Sequence, residues 1–487
     1  MAYGLLSTEI LTVLAGLLIL ILGLISKSAQ KVSHLIAAAG LLVILIVNLN
    51  YFRIQDHIFS GLYLIDSFSV FCKLIFIVAA LLVVLMSDQY NKKQYPSRRS
   101  EFNAFLLFAL VGMMMLASAG EMITIYVGLE LMTITFYILT AYLNEEPASA
   151  EAGMKYLILG AVSSGILLFG ISLVFAVTGH TSLAGIAALF EPSPAMTAGI
   201  IMMTAGFGFK IAVMPFHMWS PDIYQGAPTP VTAFLAVGSK AAAFAVIARV
   251  FLLAFPSSEF NWPVLLAVLA AVTMIAGNLI AIVQKNVKRL LAYSSIAQAG
   301  YLLSGLLSAN ELGLQGLLFY ALLYVFSNSG AFAVVVAVEN LKGDSDFASF
   351  ANLAKRAPFI SMVMTVCLLS LAGIPPLAGF VGKFFIFSGV VSSGYLWLTF
   401  VALVMSMISV YYYLLVVKIM FIGGVNDNGG QNEGENQHEL STPLVIGIPA
   451  RLVMWVCFLG TILMGVYPEP VANFAKIAAS SLLAALL

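Results

Sequence analysis

The sequence predicts an all-α polytopic membrane protein with about fourteen transmembrane helices. The 487-residue chain is 61% hydrophobic and only 9% charged, whereas an ordinary soluble domain is about 45–50% apolar and about 25% charged. Apolar runs of about 20 residues, the length that crosses a bilayer, recur from one end of the chain to the other. Lysine plus arginine and aspartate plus glutamate number 22 each, and this balance indicates that nucleic acid is not a partner.

The distribution of basic residues sets the orientation of these helices. Most of the 22 lysines and arginines lie in alternate loops on one side of the predicted membrane, for example Lys92, Lys93, Arg98 and Arg99. That side is expected to be cytoplasmic. An even number of spans places both termini on the same side, so we expect both termini on the outer side. The N-terminal segment lacks a basic n-region and is expected to be a retained first span.

Five ionisable side chains lie well inside predicted spans, where a charge costs at least about 2.5–3.5 kcal/mol. They are Glu130, Lys155, Lys210, Lys240 and Lys383. A row of buried lysines across the midplane is typical of a proton relay, because burial and nearby carboxylates push the charge state of a lysine in opposite directions. Arg249, Lys73 and Lys418 lie closer to span ends, and we expect them to snorkel to the interface.

Two of these groups are expected to meet. Glu130 and Lys155 lie on consecutive spans joined by a short turn, so the sequence predicts an ion pair between them inside the membrane. The pair would be either functional or purely structural. His217 follows Lys210 by seven residues, close to the same helix face. It is either an interface histidine at a helix end or a proton carrier between Lys210 and the cytoplasm.

Prolines interrupt the spans that carry Lys210 and Lys383. Pro215 falls near the end of the first, and Pro375 and Pro376 fall in the middle of the second. Proline removes a backbone donor, and broken helices at corresponding positions of two halves are typical of inverted-repeat transporters. Because the two broken spans are five apart, spans 4–8 and 9–13 are predicted to form two inverted five-helix repeats, each with a broken helix.

These repeats divide the chain into five predicted segments. Residues 1–101 form an N-terminal three-helix segment, 102–255 the first five-helix repeat and 263–421 the second, inverted repeat. Residues 422–446 form a polar cytoplasmic loop, and 447–487 form the last transmembrane helix and an apolar tail.

Polar residues in the second repeat could continue the relay. The stretch "QKNVKRLLAYSSIAQAGY" carries Ser294, Ser295, Gln298 and Tyr301. Such residues also serve helix–helix packing in membranes, and the sequence leaves both interpretations open.

Three stretches resemble a known family. "GFKIAVMPFHMWSPDIYQGAPTPVTAFLAVGSK", "KNVKRLLAYSSIAQAGY" and "LSLAGIPPLAGFVGKF" resemble the antiporter-like membrane subunits of respiratory complex I, the proton-translocating NADH:quinone oxidoreductase. Within that family, "SPDIYQGAPTPVTAFL" is similar to the N-type subunit, which is subunit 2 in mitochondria. The resemblance covers essentially the whole chain and implies a bacterial plasma membrane protein with both termini on the periplasmic side.

The resemblance also implies roles for individual residues. Its relay positions fall on Glu130, Lys155, Lys210, His217, Lys240 and Lys383. Lys383 would lead toward the periplasmic exit. Many relatives have a histidine where this chain has Gln298, which cannot titrate, so a relay through that position would depend on water and neighbouring groups.

The implied function is proton pumping coupled to electron transfer from NADH to quinone. FMN, iron–sulfur clusters and quinone are expected in the partner subunits, the other membrane and peripheral subunits of complex I. This chain is assigned no cofactor, because it has no suitable cysteine cluster and no glycine-rich nucleotide motif beside a strand. The alternatives are a subunit of a multi-subunit Na⁺/H⁺ antiporter, a subunit of an energy-converting membrane hydrogenase, and a scaffold whose charges are purely structural.

Overall fold

The computed structural model describes residues 2–423 and 446–484. Within these ranges the chain is a bundle of helices with one small β-hairpin. Strand β1, Asp56–Ile58, pairs antiparallel with β2, Tyr63–Ile65, and His57 lies opposite Leu64. The predicted polar loop 422–446 lies almost entirely outside the described residues.

The helices that reach across the bundle are long and apolar. Their bounds are α1 Ser7–Ile25, α2 Lys27–Asn50, α3 Ser67–Gln94, α4 Arg99–Ser118, α5 Met122–Thr140, α6 Pro147–Thr178, α8 Pro194–Ile211, α12 Trp262–Ala281, α13 Val287–Leu307, α14 Glu311–Lys342, α19 Leu396–Ile422 and α20 Ile448–Val466. Helices α10, Thr229–Phe234, and α11, Lys240–Leu253, are joined by a π-helical turn at Leu235–Ser239 into one span.

Shorter helices complete the bundle. They are α7 Leu183–Ala188, α9 Trp219–Gly226, α15 Phe347–Phe350, α16 Leu353–Arg356, α17 Pro358–Ala372, α18 Ala378–Ser392 and α21 Glu469–Ala484. Two 3₁₀ turns, Ala2–Leu6 and Phe59–Gly61, lie near the N-terminus.

Local sequence explains where many helices begin. Proline occupies the first turn of α6, α8, α12, α17 and α20, where its missing N–H costs no hydrogen bond. Asp66, Asn286 and Asn310 cap α3, α13 and α14 by accepting from the backbone N–H three residues later. Inside a bilayer a helix satisfies its own backbone polar groups, so apolar runs of this length become helices.

The predicted number of spans is confirmed. Thirteen continuous helical runs among the described residues are long and apolar enough to cross a membrane. The broken span formed by α17 and α18 completes the predicted set of about fourteen. The hairpin is the only departure from an all-α description within the described ranges, and it lies in the loop between α2 and α3.

Both predicted breaks are present. Helix α8 ends at Ile211, Ala212 takes a left-handed conformation with φ 57°, and α9 begins at Trp219. Helix α17 ends at Ala372, Gly373 has φ 87°, and α18 begins at Ala378. Each connecting turn contains a cis peptide bond before a proline.

The centre of the bundle lies around α14 and the span Thr229–Leu253. Helix α14 packs against α3, α10, α13, α17, α18, α20 and α21. Within the span Thr229–Leu253, every residue except Leu253 is buried. Lys240 on this span, and Lys210 and Lys383 beside the two breaks, are therefore surrounded by protein.

The snorkelling expected of Arg249 and Lys73 is wrong. Arg249 Nη2 lies 2.7 Å from Asp66 Oδ1, and its Nε donates to Ala117 O at 2.6 Å. Lys73 Nζ lies 2.7 Å from Glu9 Oε1, and both side chains are buried. Helix α1 and the loop that precedes α3 supply these carboxylates and cover both cations, so neither side chain needs to reach the interface. Lys418 is exposed.

Candidate functional site

Lys210 lies at the end of the first broken helix. It is the penultimate residue of α8, is buried, and donates from Nζ to Thr133 Oγ1 on α5 at 3.1 Å. Thr133 follows Glu130 by three residues and therefore lies on the same face of α5. The carbonyl of Phe209, at the break, accepts from Ala212 N at 3.0 Å and from Trp219 Nε1 at 2.8 Å. The break thus places Lys210 against the helix that carries Glu130.

Lys240 lies directly after the π-helical turn. Its Nζ donates to the side-chain oxygen of Ser295 at 2.6 Å and to the main-chain oxygen of the same residue at 3.0 Å. The ring of Tyr224 lies 5.8 Å from Nζ. Because Ser295 belongs to α13, this contact joins the first predicted repeat to the second.

Lys383 lies on α18 beyond the second break and turns back toward it. Its Nζ donates to the carbonyls of Leu371 and Ala372 at 3.0 and 3.1 Å and to Ser406 Oγ at 2.8 Å. The two carbonyls end α17, where the break removes their helical partners. A Cβ at Gly373 would lie 3.0 Å from Lys383 Cδ. The broken helix therefore provides both oxygen acceptors and room for the lysine.

The three lysines share one property. In the described part of the chain, Lys210, Lys240 and Lys383 are all buried, and none forms an ion pair. Their hydrogen-bond acceptors are hydroxyl and carbonyl oxygens. Lys73 and Arg249 are equally buried but have fixed carboxylate partners. The fold thus contains two classes of buried cation.

The ion pair expected between Glu130 and Lys155 is wrong. Lys155 Nζ lies 2.7 Å from Glu151 Oε1 and 3.1 Å from Asp222 Oδ2, and 43% of its side chain is exposed. Helix α6 has 32 residues, about 48 Å, and exceeds a bilayer core of about 30 Å. Its third turn, with Lys155, therefore lies near the end of the bundle, beside Asp222 of α9. Glu130 is partly buried, and its Oε1 has no hydrogen-bond partner.

Asp222 is the centre of this charged group. Its Oδ1 accepts from Arg289 Nη1 at 2.7 Å, and its Oδ2 accepts from Lys155. Burial opposes ionisation of Asp222, but the hydrogen bonds from Arg289 and Lys155 outweigh it and hold the pKa of the carboxyl below its ordinary value. Asp222 therefore links α9 of the first predicted repeat to α13 of the second.

His217 lies in the turn between α8 and α9. Its side chain is half-buried, and its Nδ1 has no hydrogen-bond partner. Burial lowers the pKa of the imidazole. The turn separates His217 from the helix that carries Lys210, so the shared helix face expected from their spacing does not exist.

The polar residues of α13 form one connected network with α14, α17 and α19. Gln298 Nε2 donates to Leu371 O at 3.0 Å and to the Tyr413 hydroxyl at 3.3 Å. Gln298 Oε1 accepts from the Tyr320 hydroxyl at 2.5 Å. Ser294 shares a short hydrogen bond with Tyr413. Gln298 and Lys383 thus share the carbonyl of Leu371.

Tyr301 continues this network by one turn of α13. Its hydroxyl accepts from Asn278 Nδ2 at 3.3 Å, and its ring lies 4.6 Å from Lys383 Nζ. All four polar positions singled out in α13 therefore contact a lysine or the network between lysines.

Sequence reasoning missed several partners in the site. They are Thr133, Asp222, Tyr320, Ser406 and Tyr413. The run of three tyrosines at 411–413 in the thirteenth span was an available signal, since two of them face inward. Asp222 was visible in the "SPDIYQG" stretch. Thr133 and Ser406 carried no signal, because single hydroxyls are common in transmembrane helices.

No group of three histidine, cysteine, aspartate or glutamate side chains that could hold a metal ion occurs in residues 2–423 and 446–484. The cysteines Cys72, Cys367 and Cys457 are buried and free.

Comparison with known proteins gives consistent matches. The profile of the "NADH:quinone oxidoreductase/Mrp antiporter, TM" family matches residues 119–409. NADH-quinone oxidoreductase subunit N of Heliobacterium modesticaldum is 48% identical over 487 residues, covering 99% of this chain and 100% of the relative.

Solved structures also match. A chain of respiratory complex I from Thermus thermophilus has a TM-score of 0.80 and 31% identity, covering 96% of this chain and 98% of that one. A chain of the membrane-bound sulfane sulfur reductase, an archaeal respiratory membrane complex, has a TM-score of 0.87 and 25% identity over 99% of both chains. The relatives are subunits of multi-subunit membrane complexes.

Proposed function

Because the chain belongs to the NADH:quinone oxidoreductase/Mrp antiporter family of membrane subunits, we propose that it is a proton-translocating subunit of an NADH:quinone oxidoreductase. In this proposal the chain carries no redox group itself. FMN, iron–sulfur clusters and quinone bind to partner subunits of the complex. The chain lies in a bacterial plasma membrane with both termini on the periplasmic side, and electron transfer in the partners drives protons through its buried lysines.

The observation that supports the proposal is the set of three buried lysines without ion-pair partners. Burial disfavours the charged form of an amine, and a fixed carboxylate opposes that effect. Lys210, Lys240 and Lys383 are held only by neutral oxygens in the described structure. Each can therefore alternate between a charged and a neutral form, which a proton relay requires. Glu130, near Lys210, is the group that would shift this balance.

The test is NADH-driven proton uptake per electron in inside-out membrane vesicles. We expect Lys210→Met and Lys383→Met to lower this yield, because methionine fills the space of the lysine stem but carries no proton. Lys418→Met, at an exposed lysine, is the control and should keep the normal yield. A normal yield in both relay variants would contradict the proposal.

Two alternative functions share this fold. In a multi-subunit Na⁺/H⁺ antiporter, a sodium gradient would drive proton movement in vesicles that receive no NADH. In an energy-converting membrane hydrogenase, a nickel-containing subunit would co-purify with the chain instead of flavin- and quinone-binding subunits. Identification of the co-purifying subunits therefore separates all three functions.

A further inference from the structure

The second break is bridged by a hydrogen bond between the two helices that it separates. The first N–H groups of a helix have no partner within that helix, and Leu377, which precedes α18, has no side-chain acceptor to cap them. The N–H of Gly379, the second residue of α18, donates instead to Ser370 Oγ at 3.1 Å. Ser370 lies two residues before α17 ends at Ala372. One half of the broken span therefore caps the other.

The two helix ends are in direct contact at this hydrogen bond. A Cβ at Gly379 would overlap with the main-chain oxygen of Ser370, so no side chain fits between them. The same oxygen accepts from the N–H of Gly373, just after the end of α17, at 2.9 Å. The first turn of α18 therefore packs directly against the last turn of α17, and the Ser370 side chain lies at their junction.

Two neighbouring helices hold Ser370 and the turn of the break in place. Ser327 Oγ on α14 donates to Ser370 Oγ at 3.0 Å and lies 3.5 Å from Thr461 Oγ1 on α20. All three hydroxyl side chains are fully buried. One helical turn beyond Thr461, a Cβ at Gly465 would overlap with the carbonyl oxygen of Pro376. Ser370 is thus connected to α14 and α20, two helices that do not belong to the broken span.

Lys383 forms a second connection across the same break. It follows Gly379 by four residues, about one turn of α18. The carbonyls that accept from its Nζ, at 3.0 and 3.1 Å, belong to Leu371 and Ala372, which directly follow Ser370 on α17. The two connections therefore join neighbouring turns of the same two helices. Because a hydrogen bond weakens as its atoms separate, the position of the first turn of α18 decides whether the lysine reaches both carbonyls.

We propose that Ser370 is a positioning residue for Lys383. Its hydroxyl holds the first turn of α18 against the end of α17, and this keeps the lysine within reach of the two carbonyls that stabilise its charged form. Ser370 carries no proton in this proposal and acts through α18. The inference rests on the proposed function of Lys383 and adds to it a group that sets how firmly the relay holds a proton at this position.

Ser370→Ala tests the inference by removing one oxygen atom from the junction. The Gly379 N–H then has no acceptor on α17, and the first turn of α18 can move away from it. The other groups at Lys383 Nζ, Ser406 of α19 and the ring of Tyr301 on α13, keep their side chains. Any change in the proton affinity of Lys383 therefore comes from its contacts with the two carbonyls.

The measurement is NADH-driven proton uptake per electron in inside-out vesicles, followed against pH and referred to the amount of assembled complex. We expect Ser370→Ala to lower the yield. The alkaline limit of the pH profile should move down by about one pH unit, because losing a hydrogen bond to the ammonium lets Lys383 release its proton at lower pH. A cap with a purely structural role would change the amount of assembled complex but neither the yield per electron nor the pH profile.

The matched control is Ser361→Ala on the same helix. Ser361 is also fully buried, and its hydroxyl has no hydrogen-bond partner among the described residues. This variant should keep the normal yield and pH profile. The inference is overturned if Ser370→Ala has the yield and pH profile of the wild type, or if Ser361→Ala shifts both as much as Ser370→Ala does.

Two more variants complete the experiment. Ser327→Ala removes the hydroxyl that donates to Ser370 but leaves the bond from Gly379, so its shift should have the same direction and be smaller. It replaces Ser370→Ala if that variant does not assemble, and wild-type behaviour would then overturn the inference. Lys383→Met separates the two levels, because a normal yield in that variant contradicts the relay itself. A low yield in Lys383→Met beside a normal Ser370→Ala contradicts only the role of Ser370.

Discussion

The buried ion pair between Lys73 and Glu9 should be structural, in contrast to the unpaired lysines of the proposed relay. Glu9 Oε1 lies 2.7 Å from Lys73 Nζ and accepts from the Tyr63 hydroxyl at 2.6 Å, and its Oε2 accepts from Thr8 Oγ1 at 2.8 Å. Lys73→Met leaves this buried carboxylate without a cation. Breaking one side of a buried pair costs about 3–5 kcal/mol.

We expect the cost to fall near the lower end of that range, about 3 kcal/mol, because the two hydroxyl donors still stabilise the carboxylate. This is about a 150-fold change in the folded-to-unfolded ratio. The double variant Glu9→Gln, Lys73→Met should recover most of the loss, since the amide oxygen of glutamine still accepts from Tyr63, its NH2 can donate to the Thr8 hydroxyl, and no charge remains buried.

Two measurements on the purified complex and its vesicles check this reasoning. Thermal unfolding should show a clear loss of stability for Lys73→Met and near-recovery for the double variant. Proton uptake per electron should be normal for whatever complex assembles in either case. The division of buried cations into two classes would be refuted by a double variant as unstable as the single one, or by a low proton yield in the stable double variant.

Three further predictions concern the second break, the glutamine network and the orientation. Gly373→Ala should impair proton uptake more than Gly343→Ala. Both glycines have a positive φ, 87° and 86°, so the backbone strain is similar. A Cβ added at Gly373 would contact the Lys383 side chain, whereas a Cβ added at Gly343 would lie in open space. The reasoning fails if the two variants behave alike. Gln298→Leu should slow proton uptake and destabilise the complex by about 1–3 kcal/mol, because the Leu371 carbonyl and the hydroxyls of Tyr413 and Tyr320 lose a hydrogen-bond partner. A variant with the same thermal unfolding and the same proton uptake as the wild type would contradict this prediction. Gln225→Cys, exposed in the cavity lined by Lys155, Asp222 and Arg289, which the predicted orientation places on the cytoplasmic side, should react with an impermeant thiol reagent in inside-out vesicles and stay unlabelled in intact cells. The opposite labelling would reverse the predicted orientation.

Much of the fold could be predicted because the membrane leaves few choices. A run of apolar residues in lipid must become a helix, so the apolar runs along the sequence predicted the number of spans. Prolines predicted both breaks, since a proline within a helix removes a backbone donor and its ring clashes with the preceding turn. The candidate lysines were equally visible, because a charge within an apolar run is costly and rare.

Partner choice could not be predicted from the sequence. The spacing of Glu130 and Lys155 suggested an ion pair, but α6 extends beyond the bilayer and places Lys155 against Asp222, 67 residues later. Arg249 and Lys73 were expected at the interface, but α1 and the loop before α3 bring carboxylates to them. Each of these contacts depends on which helices become neighbours. The pattern of hydrophobicity along the chain does not show which helices pack together.

The break at Pro375 and Pro376 shows most clearly which features local sequence predicts and which depend on helix packing. The two prolines predict a break in the helix, and the apolar run around Lys383 predicts that this lysine lies within the membrane. Only the tertiary structure decided that Lys383 turns back to the freed carbonyls of Leu371 and Ala372 and shares one of them with Gln298. The physical reason is that a break depends on local backbone chemistry, whereas the partners of a buried ammonium depend on the packing of α13, α17, α18 and α19 around it.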